Sequence, residues 1–338
     1  MDKVYFASVD RACRLALAFS GLPYLEKMRI LLDSPDLGRM KASLPDIDAS
    51  RERMRRNRSR FLLIGDEAYP DSLYEMGTPP LLLHYRGDIS LLKRPCLAMV
   101  GSRDHTAYGE HVAKSLSREA VKAGAVIVSG GARGIDSVSH TEAIYNEGKT
   151  ICVLGCGLDV TFPPENGELF REIAEKGLIL SEYPLGFRPK RWTFPMRNRI
   201  IAALSGFIVV VEAKEKSGSL HTASYGEEWN RKVYAVPGDI RMATSRGCNL
   251  LIQMGALPML SSGETVSDFL AEFPESLGYR LQDLSLLDTA LEINFLAKIT
   301  GIEKMALTLH LQGMRKDFTC TGFDGNCFEV SRVQNIFF

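Results

Sequence analysis

The chain has 338 residues, enough for roughly two or three domains, and its 45% hydrophobic and 24% charged composition is that of a folded globular protein, not a disordered one. Its 41 basic and 41 acidic residues cancel, so no global field attracts polyanions and any nucleic-acid site must be a local patch. No apolar run approaches the roughly 20 residues of a membrane span, Met1–Asp10 lacks a signal-peptide core, and the seven cysteines, odd in number and mostly in apolar strands, suit reduced cytoplasmic thiols.

Residues 1–57 carry apolar side chains at helical spacing, first in RACRLALAFSGL and then in two shorter stretches broken at Pro35 and Pro45. A small helical bundle is expected there. RERMRRNRSR follows, with six arginines against Glu52, and reads as a solvated helix face or linker, with a supplementary phosphate contact as the sharper alternative. From Phe61 the period changes. FLLIGD and LLLHYRGD read as strands joined by a proline-rich connection, and strands then alternate with helices over about 180 residues. LAMVG, AVIVSGG, TICVLG, GLILSEY, FIVVVEA and VYAVPG are the strands of a parallel sheet covered on both faces.

Gly-rich or polar motifs follow nearly every strand. They are Gly101-Ser102-Arg103, Ser129-Gly130-Gly131-Ala132-Arg133-Gly134-Ile135-Asp136, Gly155-Cys156-Gly157-Leu158-Asp159, Ser181-Glu182-Tyr183-Pro184, Ser217-Gly218-Ser219 and Pro237-Gly238-Asp239. This is the carboxyl edge of the sheet, where open α/β folds bind ligands, and several of these motifs open helices whose N–H groups favour phosphate. Arg103 stands directly after a strand beside Ser102, so it can grip a phosphate or pair with an acid such as Asp136 or Glu182. Asp136 and Asp159 are expected to orient their own loops.

The stretch Arg188–Ala213 brings Arg188, Lys190, Arg191, Arg197 and Arg199 together with Trp192 and Phe194, then enters a helix at IIAALS and a strand at FIVVVEA. Cations beside stackable rings suit a single-stranded nucleic acid, because every base has a π-face. Asn198 is expected to cap the helix and aim Arg197 and Arg199 at the same edge, although one of the two arginines can be structural.

Beyond Asp268, AEFPESLGYRLQ reads as a linker. The remaining chain resembles a winged helix, with two helices around Thr300-Gly301 and a two-stranded wing turning at Asp324-Gly325. The expected boundaries are 1–57, 58–272 and 280–338.

Several chemistries lack their residues. The first strand–helix turn, GSRDHTAYG, has no G-x-G-x-x-G, so a dinucleotide cofactor is not expected, and no P-loop is present. Cys152 and Cys156 have no partner pair at zinc spacing, so no metal is expected. Asp104, His105, His140 and Asp136 could serve as acids or bases, but no nucleophile pairs with them, and no catalytic residue is assigned. His221, beside the Gly218-Ser219 turn, reads as a surface histidine.

VGSRDHTAYG, SGGARGIDSVSH, LGCGLDVTFPPEN, SEYPLGFRPKRWTFPMRNRIIAALSGFIVVVEA, SGSLHTA, VYAVPGDI and GCNLLIQMGA, in that order, resemble the DprA/Smf family of DNA-processing proteins from about Phe61 to Leu270. The resemblance implies an extended Rossmann-like, mostly parallel sheet flanked by a helical domain similar to a sterile-alpha-motif (SAM) domain and a winged-helix-like domain. It implies a non-enzymatic cytoplasmic protein, without cofactor, that binds single-stranded DNA, protects it during natural transformation and helps load the RecA recombinase. A homodimer through the Rossmann-like domain is implied as well. On matching positions Arg103 corresponds to the family's phosphate-gripping arginine, Arg191 to a basic position and Phe194 to a base-stacking aromatic. Gly157, Ser217 and Arg231 fall where the family lines the same pocket. With Ser102, Gly130, Gly131, Arg133, Arg197, Asn198, Arg199, Gly218 and Ser219 they form the expected DNA site. Asn230 stands where glycine commonly ends a helix, a place asparagine tolerates. The rival readings are a Rossmann-like enzyme similar to nucleotide phosphoribohydrolases, whose PGG-x-GT-x-x-E acid is lacking at Pro237-Gly238-Asp239, and a protein-interaction scaffold.

Overall fold

A computed structural model describes residues 3–20, 22–33, 47–283, 318–324 and 327–332. The chain opens with α1 (Lys3–Ser8), α2 (Arg11–Phe19), α3 (Tyr24–Asp33) and α4 (Ile47–Arg56). Asp10 caps α2, its carboxylate accepting from the N–H groups of Ala12 and Cys13. These helices are not a detached unit. Phe6, Cys13, Leu17 and Leu31 are buried in the same apolar core as Leu62, Leu83 and Tyr74. The buried Arg14 donates to the carbonyls of Val9 and Ile64, and with Arg11 it pairs with Asp66 at 3.1 Å.

The strands are β1 (Arg60–Leu63), β2 (Leu82–Gly87), β3 (Cys96–Val100), β4 (Val126–Ser129), β5 (Thr150–Leu154), β6 (Leu178–Ser181), β7 (Phe207–Val210), β8 (Lys232–Ala235) and β9 (Leu257–Pro258). They form one nine-stranded sheet in the order β1-β2-β6-β5-β4-β3-β7-β8-β9. From β6 to β9 every pairing is parallel, while β1 and β2 join antiparallel at one edge. β3 through β7 are buried along their whole length, which is why they read as continuous Val/Ile/Leu runs without alternation.

The connecting helices cover both faces: α5 (Ala107–Lys122), α6 (Ile135–Tyr145), α7 (Gly167–Lys176), α8 (Thr193–Leu204), α9 (Ser219–Glu228), α10 (Arg246–Gln253) and α11 (Ser262–Glu272). Thr106 caps α5 through Gly109 N–H, and Ser261 caps α11 through Glu264 N–H. α9 ends as the sequence suggests, with Asn230 at φ 55° and the Arg231 N–H bonded back to Gly226 O at 2.8 Å.

Two differences from expectation have clear causes. The segment read as a linker forms α12 (Ser276–Asp283), because Leu277 and Arg280 are buried against the sheet's helices and Phe273 packs on Phe207. α8 begins at Thr193, seven residues before the apolar run, since Pro195 in its first turn is compatible with helix. At the C-terminus β10 (Phe318–Asp324) and β11 (Cys327–Arg332) pair antiparallel where the sequence places a wing. The helices expected around Thr300-Gly301 lie outside the described residues.

His140 is buried with Nδ1 2.6 Å from Thr150 Oγ1, and burial holds its pKa down to about 3; burial likewise lowers that of His84 to about 4. An unfolded histidine titrates near 6.5, so on acidification the unfolded chain takes up protons first. The stability these neutral imidazoles supply is whole above about pH 6.5 and is lost as the pH falls toward 4 and then 3. Denaturant titrations from pH 7.5 to 5.0 should show unfolding free energy dropping by up to about 1.4 kcal/mol per pH unit for each histidine. A flat profile over that range contradicts the assignment.

Candidate functional site

The strand order reverses direction between β3 and β7, so the loops leaving their carboxyl ends diverge and leave a crevice, the place where open α/β sheets bind ligands. A cavity of about 530 Å³ opens there, lined by Ser102, Arg103, Arg191, Phe194, Arg197, Asn198 and the Ser217-Gly218-Ser219 turn, with Lys214 and Lys216. A second cavity of about 270 Å³ adjoins it and shares Arg103, Phe194 and Arg197; Gly130, Gly131, Arg133, Gly155 and Phe162 complete its lining. Residues from five separate strand–helix loops thus meet in one cleft.

Phe194 stands between the two cavities. It is half-buried in the first turn of α8, and its ring lies 5.7 Å from that of Phe162. The Arg103 guanidinium sits over the same ring, 5.5 Å from the centroid. Gly155 permits this arrangement, since a Cβ there would approach the Phe194 ring to 3.0 Å. Arg103 is exposed, and among the described residues no carboxylate lies within ion-pairing distance of it. The two acids proposed as its partners are engaged elsewhere: Glu182 by Arg199, and Asp136 by its own loop and Arg197. Arg191 is also exposed at the rim.

Arg197 plays another part. It is 5% exposed, and its Nη1 donates to Gly130 O and Val153 O, joining the ends of β4 and β5. A Cβ on Gly130 would collide with this guanidinium. Asp136 is buried opposite; burial raises its pKa, outweighing the opposing pull of Arg197 and of the N–H groups of Ala132 and Gly130. Gly134, at φ 80°, lets the Gly-rich loop pass against the carbonyls of Ser102 and Arg103.

Four expected site residues sit differently. Asn198 is not a cap but lies inside α8, where its amide donates to Gly218 O at 3.0 Å and accepts from Arg197 Nε at 3.1 Å, linking α8 to the Ser217–Ser219 turn. Arg199 points out of the cleft, because two residues of helix rotate it about 200° from Arg197, and it is buried in an ion pair with Glu182 and a 2.8 Å bond to Thr78 O. Arg231 precedes β8 and so stands at the amino edge of the sheet, paired with Glu75 at 2.7 Å. Gly157 lies past β5 but packs under the 184–187 loop, bonded to Phe187 O, and lines neither cavity. Arg133 is exposed, 3.5 Å from Glu165.

Lys214, Lys216 and Phe162 were missed by sequence reasoning. The lysines stand in A-K-E-K-S-G-S directly after a strand, a placement that signals a site, but the intervening Glu215 gives the run the look of a solvated surface. Phe162 follows a Gly turn in VTFPP without any cation nearby in sequence. One helix start is closed to anions: the buried Glu212 carboxylate accepts from Thr106 N–H and Oγ1, both at 2.8 Å, at the head of α5. In dinucleotide-binding folds that position takes the pyrophosphate.

A family model described as DNA recombination-mediator protein A matches residues 60–271, which span the entire nine-stranded sheet. Over 212 residues the chain is 46% identical to the DNA processing protein DprA of Streptococcus pneumoniae, covering 62% of this chain and 72% of that protein. It is 43% identical over 212 residues to Protein Smf of a Synechocystis species, covering 62% of this chain and 53% of that relative, so the chain spans about half that relative's length. The solved structure of DprA from Streptococcus pneumoniae superposes with a TM-score of 0.65 at 37% identity, over 80% of this chain and 96% of that one. DprA of Helicobacter pylori, solved in a study of its single-stranded DNA binding mode, superposes with a TM-score of 0.59 at 33% identity, over 64% and 97%.

The two arginines against Phe194 and Gly130 should behave oppositely on substitution. Arg197→Met should cost about 3–5 kcal/mol, since it leaves Asp136 buried beside no cation and two carbonyls without a donor. Arg103→Ala should change stability by no more than about 0.5 kcal/mol. Urea denaturation of both variants checks this, and equal losses would contradict the division of roles.

Proposed function

Because the chain belongs to the DNA recombination-mediator protein A family, we propose that it binds single-stranded DNA at the carboxyl edge of its sheet, without strong sequence preference. The observation that carries this reading is the convergence of exposed Arg103 and Arg191 and half-buried Phe194 on one cleft. Arg103, Arg191, Lys214 and Lys216 supply positive charge for backbone phosphates. Phe194 supplies a face for a base once Arg103 swings off it. Ser102, Gly130, Gly131, Ser217, Gly218 and Ser219 bring small side chains and backbone groups close enough for a strand to approach. Arg197 and Asn198 shape this surface from behind. A duplex hides its base faces, so the cleft favours an unpaired strand. The single-stranded DNA binding mode of the Helicobacter pylori relative supports carrying the same ligand here.

In the cell the protein would shield incoming strands and help load the RecA recombinase, a reading supported by the mediator description of its family. It acts by binding rather than by catalysis, and a cytoplasmic setting is supported by the buried free thiols Cys96, Cys152, Cys156 and Cys248. The helices of residues 1–57 are read as a SAM-like module and residues 280–338 as a winged helix, whose wing the β10–β11 pair supports. A homodimer is supported by the other edge of the sheet, where β9 has one strand neighbour and Ile240, Met254, Leu257 and Leu260 are exposed.

Electrophoretic shifts with matched single- and double-stranded oligonucleotides should show preference for the single strand. Phe194→Ala should weaken binding by about 1–3 kcal/mol, and the four exposed cations predict a log–log salt slope of roughly −3. Equal affinity for both forms, or full binding in Arg103→Ala and Arg191→Ala, counts against the site. Light scattering should give a dimer that Met254→Glu with Leu260→Glu converts to monomer; a monomeric wild type rejects the dimer.

A further inference from the structure

We propose that the cleft holds a dedicated seat for a terminal phosphomonoester of a DNA strand, at the N-terminus of α9; this rests on the single-strand reading above. α9 runs for ten residues and its N-cap, Gly218, has no side chain; the Ser219 N–H donates to Ser217 Oγ at 3.4 Å. Its first turn borders the larger cavity. Ser217 Oγ and Ser219 Oγ lie 2.8 Å apart, so one hydroxyl donates to the other and the second proton is left for a ligand.

An independent observation lies one turn further in. Thr222 is fully buried, lines the same cavity, and its Oγ1 has no hydrogen-bond partner. A helical threonine ordinarily bonds back to the carbonyl four residues earlier. Here that carbonyl, Gly218 O, already accepts from Asn198 Nδ2 at 3.0 Å and from the His221 N–H. A buried hydroxyl left without a partner in the first turn of α9 is poised for an acceptor arriving from the cavity.

Charge and shape decide which acceptor. Arg103, Arg191, Lys214 and Lys216 converge on the cavity, against Asp104 at the rim and the buried Asp136 that faces Arg197. An internal phosphodiester brings one negative charge, while a phosphomonoester brings about −1.5 to −2 at neutral pH. The local surplus of cations matches the second. The floor is closed by Val100, Ile201 and Thr222, all buried. A chain that continues in both directions must cross the mouth of this cavity, whereas a chain end can enter it head-on.

The test is fluorescence anisotropy with an internally labelled short oligothymidine in three forms: 5′-phosphate, 3′-phosphate, and hydroxyl at both ends. A phosphate-bearing form should bind roughly tenfold more tightly than the hydroxyl form, about the gain of one charge-assisted hydrogen bond. Which of the two phosphorylated forms gains identifies the end that is seated. Thr222→Val and Lys216→Gln should bring that ratio toward one with unchanged melting curves. Equal affinity for all three forms, or an undiminished ratio in both variants, overturns the seat alone. Failure of every form to bind overturns the single-strand reading together with it.

Discussion

The buried guanidinium of Arg197 is the contact on which the rest of the site depends. It reaches from α8 across the ends of two neighbouring strands and satisfies carbonyls from each, at Gly130 and Val153. A cation so deeply buried is tolerable only with its donors used and an opposing charge nearby, and Asp136 supplies that charge. This arrangement dictates the local sequence. Gly130 must lack a side chain because the guanidinium lies against it, and Asn198 must accept from Nε. Through Asn198 the same contact reaches the Ser217–Ser219 turn, so both walls of the cleft are fastened to one side chain.

The arginines of a short basic stretch therefore divide by task. Arg197 and Arg199 are consumed internally, one by carbonyls and Asp136, the other by Glu182. Arg191, and Arg103 from a distant loop, stay at the surface, where desolvation costs them nothing before a ligand arrives. Glu212 makes a comparable division among helix starts. It closes the head of α5 with an internal carboxylate, whereas α9 has as its N-cap Gly218, which brings no side chain to the crevice. A Rossmann-like frame is thereby turned away from the usual dinucleotide geometry and toward a groove lined by separate cations and a ring.

What the sequence by itself determined is the frame. Strands buried on both faces must be continuous apolar runs, so β3 to β7 were legible, as was the Gly-rich carboxyl edge. Asn230 was legible too, since few residues accept its positive φ. The clustering of Arg103, Arg191 and Phe194 followed from loop position relative to strands. What only the tertiary structure decided is which polar groups point where. Arg197 and Arg199 are two residues apart in sequence, yet a helix turns by about 100° per residue, so they face different neighbours. Arg231 looks like any other loop cation until the strand direction sends it to the far edge, and α12 looked like a linker until Leu277 found a surface to cover. Spacing along the chain carries the backbone's preferences, which are local. The partner of a charged side chain comes from residues tens of positions away, and only packing brings them within reach.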